Sequence, residues 1–415
     1  MYNQVIIMIE NRKIRQLETP ELPVGFKGAG IASGIKKNGR PDMALIYSET
    51  EAAAAGAFTT NRVAAAPVWL DKKVLAGGRC RAVIVNSGCA NACTGPQGEA
   101  DAERMARLTA EGLSIDPGVV VVCSTGRIGK LLPMKKIETG IAGLSKIIKS
   151  GGNDSASKAI MTTDTHPKEA AVEFEVGGRI CRVWGIAKGA GMIYPRMTVD
   201  GLPHATMLSF LTTDLGVSAD LLRTSLSLSL AQSFNRITVD GDTSTNDSVI
   251  MMANGESQAA IESGSNDLEV FQDALNLVTG ELARMIARDG EGATRLIKIE
   301  VQSASTREDA RTAAASVANS LLFKCALYGE TPNWGRLMAA LGYSGALIEE
   351  KKITTSLNGI EIIRNGLLSE VDPAAIAKKL RSKSLTILID LGLGDGSDFY
   401  YTCDISPEYV EINKY

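Results

Sequence analysis

Histidine is nearly absent from this chain of 415 residues, which contains only His166 and His204. A zinc site built from three histidines needs one more, and an HExxH helix needs two histidines four positions apart. The sequence also has no Walker A string and no GxSxG elbow. These absences exclude the common zinc hydrolases, the P-loop nucleotide enzymes and the serine esterases of the α/β-hydrolase type.

Charge of one sign is not in excess, since 44 Lys and Arg face 47 Asp and Glu and give a net charge of −3. No basic block is long enough to attract nucleic acid or an acidic membrane. The apolar cluster near the start, residues 5–9, is too short for a signal peptide or a membrane span. We therefore expect a cytoplasmic protein with neither nucleic acid nor membrane as a partner.

Cysteine is scarce and scattered. The seven cysteines are Cys80, Cys89, Cys93, Cys123, Cys181, Cys325 and Cys403. Their number is odd, and no CxxC motif occurs. In a cytoplasmic chain this pattern predicts buried, reduced thiols that act as small apolar side chains.

Strand and helix patterns alternate along the chain. Short β-branched apolar runs predict buried strands at 82–86, 119–124, 296–303 and 386–391. Amphipathic spacing predicts helices at 101–113, 219–234, 267–288 and 306–323. Boundaries are expected at 191–208, where a strand would give way to a helix, and at 288–295. The alternation predicts an α/β or α+β chain.

Loops rich in Gly, Ser, Thr and Asn follow several of these strands. They lie at 58–62, 86–95, 124–129, 161–165, 187–195 and 234–247. Such loops can present backbone N–H groups and hydroxyls to an oxyanion or a carboxylate. A calcium loop starting at Asp240 is rejected, because Thr245 stands where glycine is needed and Met251 where a glutamate is needed.

A hydroxyl nucleophile in a chain so poor in histidine needs another base. The α-amino group of a Thr or Ser, freed by cutting the preceding peptide bond, titrates near neutrality and lies beside its own hydroxyl. The segment HATMLSF (204–210) offers Thr206 after the small Ala205, at the predicted start of a helix. An ordinary N-cap is the alternative role for this threonine.

Eleven sequence blocks, in order along the chain, match one known family. They are GIKKNGRPDMALI (34–46), FTTNRVAAAPV (58–68), NSGCANACTG (86–95), STGRIGKLLPM (124–134), MTTDTHPK (161–168), KGAGMI (188–193), ATMLSF (205–210), SFNRITVDGDTSTND (233–247), DGEGATRLI (289–297), TPNWGRLMAALGYSG (331–345) and CDISPEYVEIN (403–413). The chain resembles the bifunctional ornithine acetyltransferases, or glutamate N-acetyltransferases, of arginine biosynthesis.

The resemblance implies a layered αββα sandwich of the self-processing N-terminal-nucleophile type, with a smaller C-terminal α/β domain. The precursor is expected to cut itself between Ala205 and Thr206, giving an α chain (1–205) and a β chain (206–415). Within the β chain, 206–295 would complete the main domain and 296–415 would form the C-terminal domain. An α2β2 heterotetramer is the expected assembly.

The resemblance also implies the reaction and its residues. The acetyl group of N-acetylornithine would pass to glutamate through an ester on Thr206, with Thr125 and Gly126 forming the oxyanion hole. The positions that match substrate-binding residues are Thr163, Lys188, Thr206, Glu291 and Asn413. Lys188 suits a substrate carboxylate and Glu291 a substrate amine. No metal or cofactor is expected, and the use of acetyl-CoA as a second acetyl donor is left open.

The chain departs from the family pattern at two places. Seven residues, 198–204, intervene before the expected cut, and they create a competing cut site at Thr198. The helix predicted after Thr206 favours Thr206. Family members typically carry a further substrate-binding Thr or Ser a few residues past Asn413, whereas this chain ends at Tyr415. Because one ligand position is missing, we expect the affinity for substrate to differ from that of typical family members.

Two other functions are considered beside the acetyltransferase. One is a self-cleaving amidohydrolase or aminopeptidase, in which water would replace glutamate as the acceptor. The other is a non-catalytic ligand-binding relative that never matures. The KGAGM and DGEGATR blocks favour the transferase over the hydrolase. Denaturing electrophoresis separates the non-catalytic relative from both enzymes, because a mature enzyme gives two bands of about half the precursor mass.

Overall fold

The computed structural model describes residues 6–9, 12–195, 197, 207–331 and 333–414. The chain divides into two compact units. The first unit comprises Met1–Asn235 and Asp242–Ala283, and the second comprises Arg236–Gly241 and Arg284–Tyr415. The domain limits implied by the family resemblance stay predictions.

The first unit contains one mixed sheet and the helices that cover it. Its strands are β1 (Ile6–Ile9), β2 (Arg12–Gln16), β3 (Phe26–Ile31), β4 (Met43–Phe58), β5 (Arg79–Cys89), β6 (Val120–Arg127), β7 (Lys168–Val176), β8 (Arg179–Lys188), β9 (Leu208–Thr213) and β10 (Ser248–Ala253). Its helices are α1 (Ala66–Leu75), α2 (Gly95–Leu113), α3 (Met134–Lys149), α4 (Ala156–Ala159), α5 (Ala219–Leu230) and α6 (Asn266–Arg288), whose last residues belong to the second unit.

The sheet has the strand order β1-β2-β7-β8-β9-β10-β4-β5-β6, with β3 also paired to β4. The sixteen-residue strand β4 joins its two halves, because its first part pairs with β3 and β5 and its last part pairs with β10. Strands β9 and β10 are parallel neighbours that lie between β8 and β4. The sheet therefore interleaves chain segments from before and after residues 198–206.

The two halves of the sheet pack face to face. Val83 and Val121 from one half share a buried apolar cluster with Trp184 and Phe210 from the other. Helices α2 and α3 cover the outer face of the first half through a second buried cluster. Helix α6 covers the other outer face, where a side chain at Gly185 would collide with Leu211 and Leu282. These layers form the predicted αββα sandwich, which is confirmed.

The second unit is a smaller α/β structure. Its strands are β11 (Leu296–Ala304), β12 (Thr354–Leu357), β13 (Ile360–Arg364), β14 (Leu367–Leu368), β15 (Ser384–Asp390) and β16 (Gly396–Cys403), in the order β14-β13-β12-β15-β11-β16. Its helices are α7 (Arg307–Asn319), α8 (Leu321–Tyr328), α9 (Trp334–Gly342), α10 (Pro373–Leu380) and α11 (Pro407–Ile412). Among the described ranges, no helix is long and apolar enough to cross a membrane.

The predicted helix after Thr206 is wrong, because Leu208–Thr213 forms strand β9. All six residues of β9 are buried between β8 and β10, so the strand has no solvent-exposed face and its sequence shows no clear alternation of polar and apolar residues. The boundary at 191–208 thus separates two strands. The predicted helix at 306–323 is interrupted at Ser320, whose hydroxyl accepts the Phe323 N–H and caps α8.

The cysteine prediction holds for five thiols, and it is wrong for Cys93 and Cys325, which are exposed. All seven are unpaired. Burial raises the pKa of Cys80 to about 12, so this thiol stays protonated and unreactive.

Candidate active site

Four strand ends meet at one edge of the first unit's sheet. Leu208, the first residue of β9, lies opposite Lys188 at the end of β8 and opposite Ser248 at the start of β10. Ser248 in turn lies opposite Phe58, the last residue of β4. Met207 directly precedes Leu208. Ala205 and Thr206, the predicted cut site and nucleophile, lie outside the described residues, and the described chain resumes at this edge.

The loop at the end of β6 comes from the facing half of the sheet. The side-chain amide of Asn246, just before β10, donates to the Ala90 carbonyl at 2.6 Å and to the Ser124 carbonyl at 2.8 Å. Asn246 is buried, so these two bonds take the place of bonds to water and fix the end of β6 beside the start of β10. The amide therefore places Thr125 and Gly126 at the same edge as Leu208.

Gly126 has a backbone conformation that excludes other residues. Its φ is +130°, and a Cβ atom here would lie 2.4 Å from the carbonyl carbon of Gly88 on the neighbouring strand β5. Strands β5 and β6 pair Gly88 directly with Gly126. The two strands therefore approach closely where the sequence predicts an oxyanion hole, and only glycine fits.

Lys188 brings a positive charge to this loop. Its side chain is 3% exposed, and its Nζ donates to the hydroxyl of Thr125 at 3.3 Å. The structure thus brings together three of the predicted site residues, Thr125, Gly126 and Lys188. A buried ammonium beside a threonine and a glycine main chain is suited to binding a carboxylate or a developing oxyanion.

Asp164 is the anion that faces Lys188. Its carboxylate accepts the Lys168 ammonium at 2.7 Å and the Gly189 N–H at 2.7 Å, and it is 2% exposed. Burial alone would raise the pKa of Asp164, but the charges of Lys188 and Lys168 outweigh it and hold the pKa well below its usual range. The predicted substrate ligand Thr163 directly precedes this carboxylate and is exposed.

Replacing Asp164 with asparagine is expected to destabilise the protein by about 3–5 kcal/mol at pH 7, because two buried lysines lose the anion that faces them. The depressed pKa means that the stabilisation is complete above the ordinary aspartate range. It is lost as pH falls from about 4 toward the lowered value. Urea unfolding of wild type and D164N at several pH values measures both effects.

The matched control is Glu51→Gln, which breaks the exposed Arg79–Glu51 pair. This change should cost less than about 1 kcal/mol at any pH. A D164N cost as small as that of E51Q, or one that does not shrink in acid, would show that the buried pair does not hold this part of the site.

Lys36 is a site residue that sequence reasoning missed. It is half-buried, its Nζ donates to the Pro41 carbonyl at 2.7 Å, and its side chain lies beside Gly88. Burial lowers the pKa of Lys36 to about 8, although the carboxylates of Asp42 and Asp164 partly oppose the effect. The available signal was its place in the GIKKNGRPDMALI block, but a lysine in a polar loop is typical of a solvated surface.

Asp247, like Asp164, was also missed. It directly precedes β10, it is fully buried, and its backbone carbonyl accepts the Thr59 N–H at 2.9 Å. Neither carboxylate oxygen has a hydrogen-bond partner of normal geometry within the described part of the chain. Burial raises the pKa of Asp247 well above its usual range, against smaller opposing effects of the Met207 N–H and of Lys188.

The other two predicted ligands belong to the second unit. The Asn413 amide donates to the Glu291 carboxylate at 2.7 Å. Glu291 is 7% exposed, whereas Asn413 is exposed at the end of α11. The neighbouring Gly292 has φ +68°, and a Cβ there would lie 2.6 Å from the Tyr409 nitrogen. The structure therefore pairs these two predicted residues, and leaves one carboxylate oxygen of Glu291 outside this bond.

Comparison with known proteins identifies one family. The model of the ArgJ family matches residues 27–415. The arginine biosynthesis bifunctional protein ArgJ of Symbiobacterium thermophilum is 47% identical over 394 residues, which cover 94% of this chain and 96% of that protein. The protein of the same name from Caldanaerobacter subterraneus is 45% identical over 400 residues, covering 95% and 97%.

Among solved structures, the ornithine acetyltransferase of Mycobacterium tuberculosis, crystallised with ornithine, is 45% identical. The match covers 45% of this chain and all of that chain, with a TM-score of 0.42. The family model and the two ArgJ relatives confirm the resemblance drawn from the sequence blocks. The chain belongs to the ArgJ family.

Proposed function

We propose that this chain carries out the acetyl transfer of its family, from N-acetylornithine to glutamate. The chain is a glutamate N-acetyltransferase of arginine biosynthesis, an enzyme that acts on small molecules. The observation that carries the chemistry is the bond from Lys188 to Thr125 beside the closely packed Gly126. Acetyl transfer passes through a tetrahedral oxyanion, and a fixed donor beside a buried positive charge stabilises that anion.

The proposed nucleophile is made by a cut in the chain. Water adds across the Ala205–Thr206 peptide bond, which leaves a carboxylate on Ala205 and a free amino group on Thr206. The two products, 1–205 and 206–415, are proposed to assemble as an α2β2 heterotetramer in the cytoplasm. The interleaved sheet supports a shared fold for the two products, because β9 and β10 lie between β8 and β4.

The transfer has two halves. The Thr206 hydroxyl attacks the acetyl carbonyl and gives its proton to the Thr206 amino group, and the oxyanion forms at Thr125 and Gly126. The C–N bond then breaks, ornithine leaves with the proton, and the acetyl group stays as an ester. The amine of glutamate attacks this ester, and the Thr206 hydroxyl is restored. Lys188 would hold the substrate carboxylate, and the substrate-binding roles of Glu291 and Asn413 stay predictions.

No metal or cofactor has a role in this scheme. Acetyl-CoA could load the same ester on Thr206, because its thioester offers the same acetyl carbonyl to the hydroxyl. The scheme therefore allows a second donor without a second catalytic site, and a glutamate acetylation assay with acetyl-CoA alone decides whether this chain uses one.

Two measurements test this proposal together, one of the steady-state kinetics and one of the covalent intermediate. Because ornithine leaves before glutamate reacts, initial rates at several concentrations of both substrates should give ping-pong, parallel-line plots. Mass spectrometry of enzyme quenched with N-acetylornithine alone should find one acetyl group on the 206–415 chain. Converging lines with no acetylated chain would reject the ester. Acetate release without glutamate as the main reaction would favour the amidohydrolase alternative.

A further inference from the structure

The loop before β4 brings Lys36 to the candidate active site. The buried carboxylate of Asp42 accepts the Ser33 N–H at 2.7 Å, the Ser33 hydroxyl at 2.8 Å and the Lys36 N–H at 3.0 Å. The Asp42 carbonyl accepts the Ser87 N–H of β5 at 2.8 Å. One aspartate therefore shapes this loop and ties it to β5, which gives the main chain at Lys36 a fixed position.

The side chain of Lys36 packs against the strand pair that forms the predicted oxyanion hole. A Cβ atom at Gly88 would stand 3.6 Å from the Lys36 Cγ. Gly88 is the residue of β5 that pairs directly with Gly126 of β6. The lysine is therefore one strand away from the main chain that is proposed to bind the oxyanion.

The ammonium group of Lys36 adds a positive charge to this edge. Its Nζ donates to the Pro41 carbonyl at 2.7 Å, which uses one of its three donors but leaves the charge in place. Of the residues that the structure describes, no carboxylate pairs directly with this ammonium group. Lys168 differs in this respect, since it pairs with Asp164 at 2.7 Å. Lys36 thus keeps the capacity to bind an anion.

The electrostatic environment places this ammonium group near Lys188. Burial lowers the pKa of Lys36 to about 8. The carboxylates of Asp42 and Asp164 oppose this effect, and the charges of Lys188 and Arg40 add to it. Charge effects weaken with distance, so Lys36 and Lys188 lie at the same edge of the sheet. Two cations are therefore available there at pH 7.

The two proposed substrates differ in the charge at the end of their side chains. N-acetylornithine and glutamate share an α-carboxylate, for which Lys188 is the proposed partner. Beyond this shared group the ornithine chain ends in an amine, whereas the glutamate chain ends in a second carboxylate. The donor therefore offers one anionic group, and the acceptor offers a second one that a second cation can bind.

We propose that Lys36 is a specificity-determining residue that binds the second carboxylate of glutamate and so selects a dicarboxylate as the acetyl acceptor. The inference rests on the proposed function, because it takes the acetyl ester and its transfer to glutamate as given. Ornithine, the product of the first half, is an amine that can take the acetyl group back. A cation at the acceptor's second carboxylate disfavours this return, because it attracts the glutamate side chain and repels that of ornithine.

The experiment compares mature Lys36→Met with wild type at pH 7. Methionine keeps the main-chain N–H that Asp42 accepts and removes the ammonium group. In a ping-pong reaction, kcat/KM for each substrate reports on its own half of the transfer. K36M should lower kcat/KM for glutamate by about 10–100-fold, the effect of losing one hydrogen bond to a charged group. It should keep kcat/KM for N-acetylornithine within about threefold of wild type.

Glutamine as the acceptor separates a role in specificity from a merely structural one. It has the shape of glutamate but carries a neutral amide in place of the second carboxylate. Wild type should prefer glutamate to glutamine by at least about tenfold in kcat/KM, and K36M should lose this preference. Lys36→Arg keeps the charge and should show a preference above that of K36M. A wild type without the preference overturns the proposal even if K36M does not fold.

The matched control is Lys37→Met, which removes an exposed ammonium group from the next position of the same loop. K37M should leave both kcat/KM values unchanged. An equal loss for glutamate and glutamine in K36M overturns the proposal, because Lys36 would then act on the loop or on the shared α-carboxylate. So does an equal loss for N-acetylornithine. A wild type that forms no acetylated 206–415 chain rejects the proposed function itself, so the two failures remain distinguishable.

Discussion

Thr206→Ala is expected to give a single uncut chain of 43.9 kDa with no measurable acetyl transfer. The substitution removes the hydroxyl that, in the proposed mechanism, attacks the preceding peptide bond and later carries the acetyl ester. Both losses therefore come from one oxygen atom. Denaturing electrophoresis shows the cut directly, since wild type should give two bands of about half the precursor mass.

Thr198→Ala is the control for this prediction. Thr198 follows Met197 and provides the competing cut site within the inserted residues 198–204. T198A should mature and turn over like wild type. A T206A chain that still splits at the same place, or a T198A chain that stays whole, would move the nucleophile to Thr198.

Gly126→Ala is expected to reduce kcat by about 10²–10³, the cost of losing one oxyanion donor. The new methyl group would lie 2.4–2.7 Å from main-chain atoms of Gly88 and Cys89, which cannot move away as a flexible side chain could. Relief of this clash displaces the main chain beside Thr125. Steady-state kinetics should show most of the loss in kcat, because the oxyanion exists only in the transition state.

Gly129→Ala separates this clash from simple backbone strain. Gly129 lies in the same loop with φ +77°, but nothing stands within 4 Å of a Cβ at this position. G129A should lose about 1 kcal/mol of stability and keep kcat within a fewfold of wild type. If G126A and G129A lose kcat equally, the close approach to Gly88 is not what the oxyanion site requires.

The strand and helix content was predictable where the pattern was long or clearly bounded. The run at 119–124 appears as β6 and the amphipathic stretch at 267–288 as α6. Strand β9 was not predictable, because a segment buried on both faces shows neither the helical nor the strand period. Its conformation is decided by pairing with β8 and β10, which are distant in sequence.

The site was predictable to the extent that its residues fall in recognisable blocks. Thr125, Gly126 and Lys188 were singled out from such blocks, and the structure places them together. Asp164 and Asp247 were not, because an aspartate in a polar loop is usually solvated. Both carboxylates are distinguished by their burial. Two lysines face the carboxylate of Asp164, whereas that of Asp247 has no hydrogen-bond partner of normal geometry among the described residues. Neither the burial of a side chain nor its hydrogen-bond partners can be read from its neighbours in sequence.

The strand order also bears on what happens to the two products after the cut. A break within 198–206 puts β8 and β4 on one product and β9 and β10 on the other, and both junctions are continuous ladders of six residue pairs. Separating the products would break both ladders at once and open the apolar layer between the sheet halves. Such a loss equals global unfolding in cost, so exchange of products between molecules should be as slow as unfolding itself. The cut would thus set one amino group free, while the two products stay associated as firmly as the parts of an uncut chain.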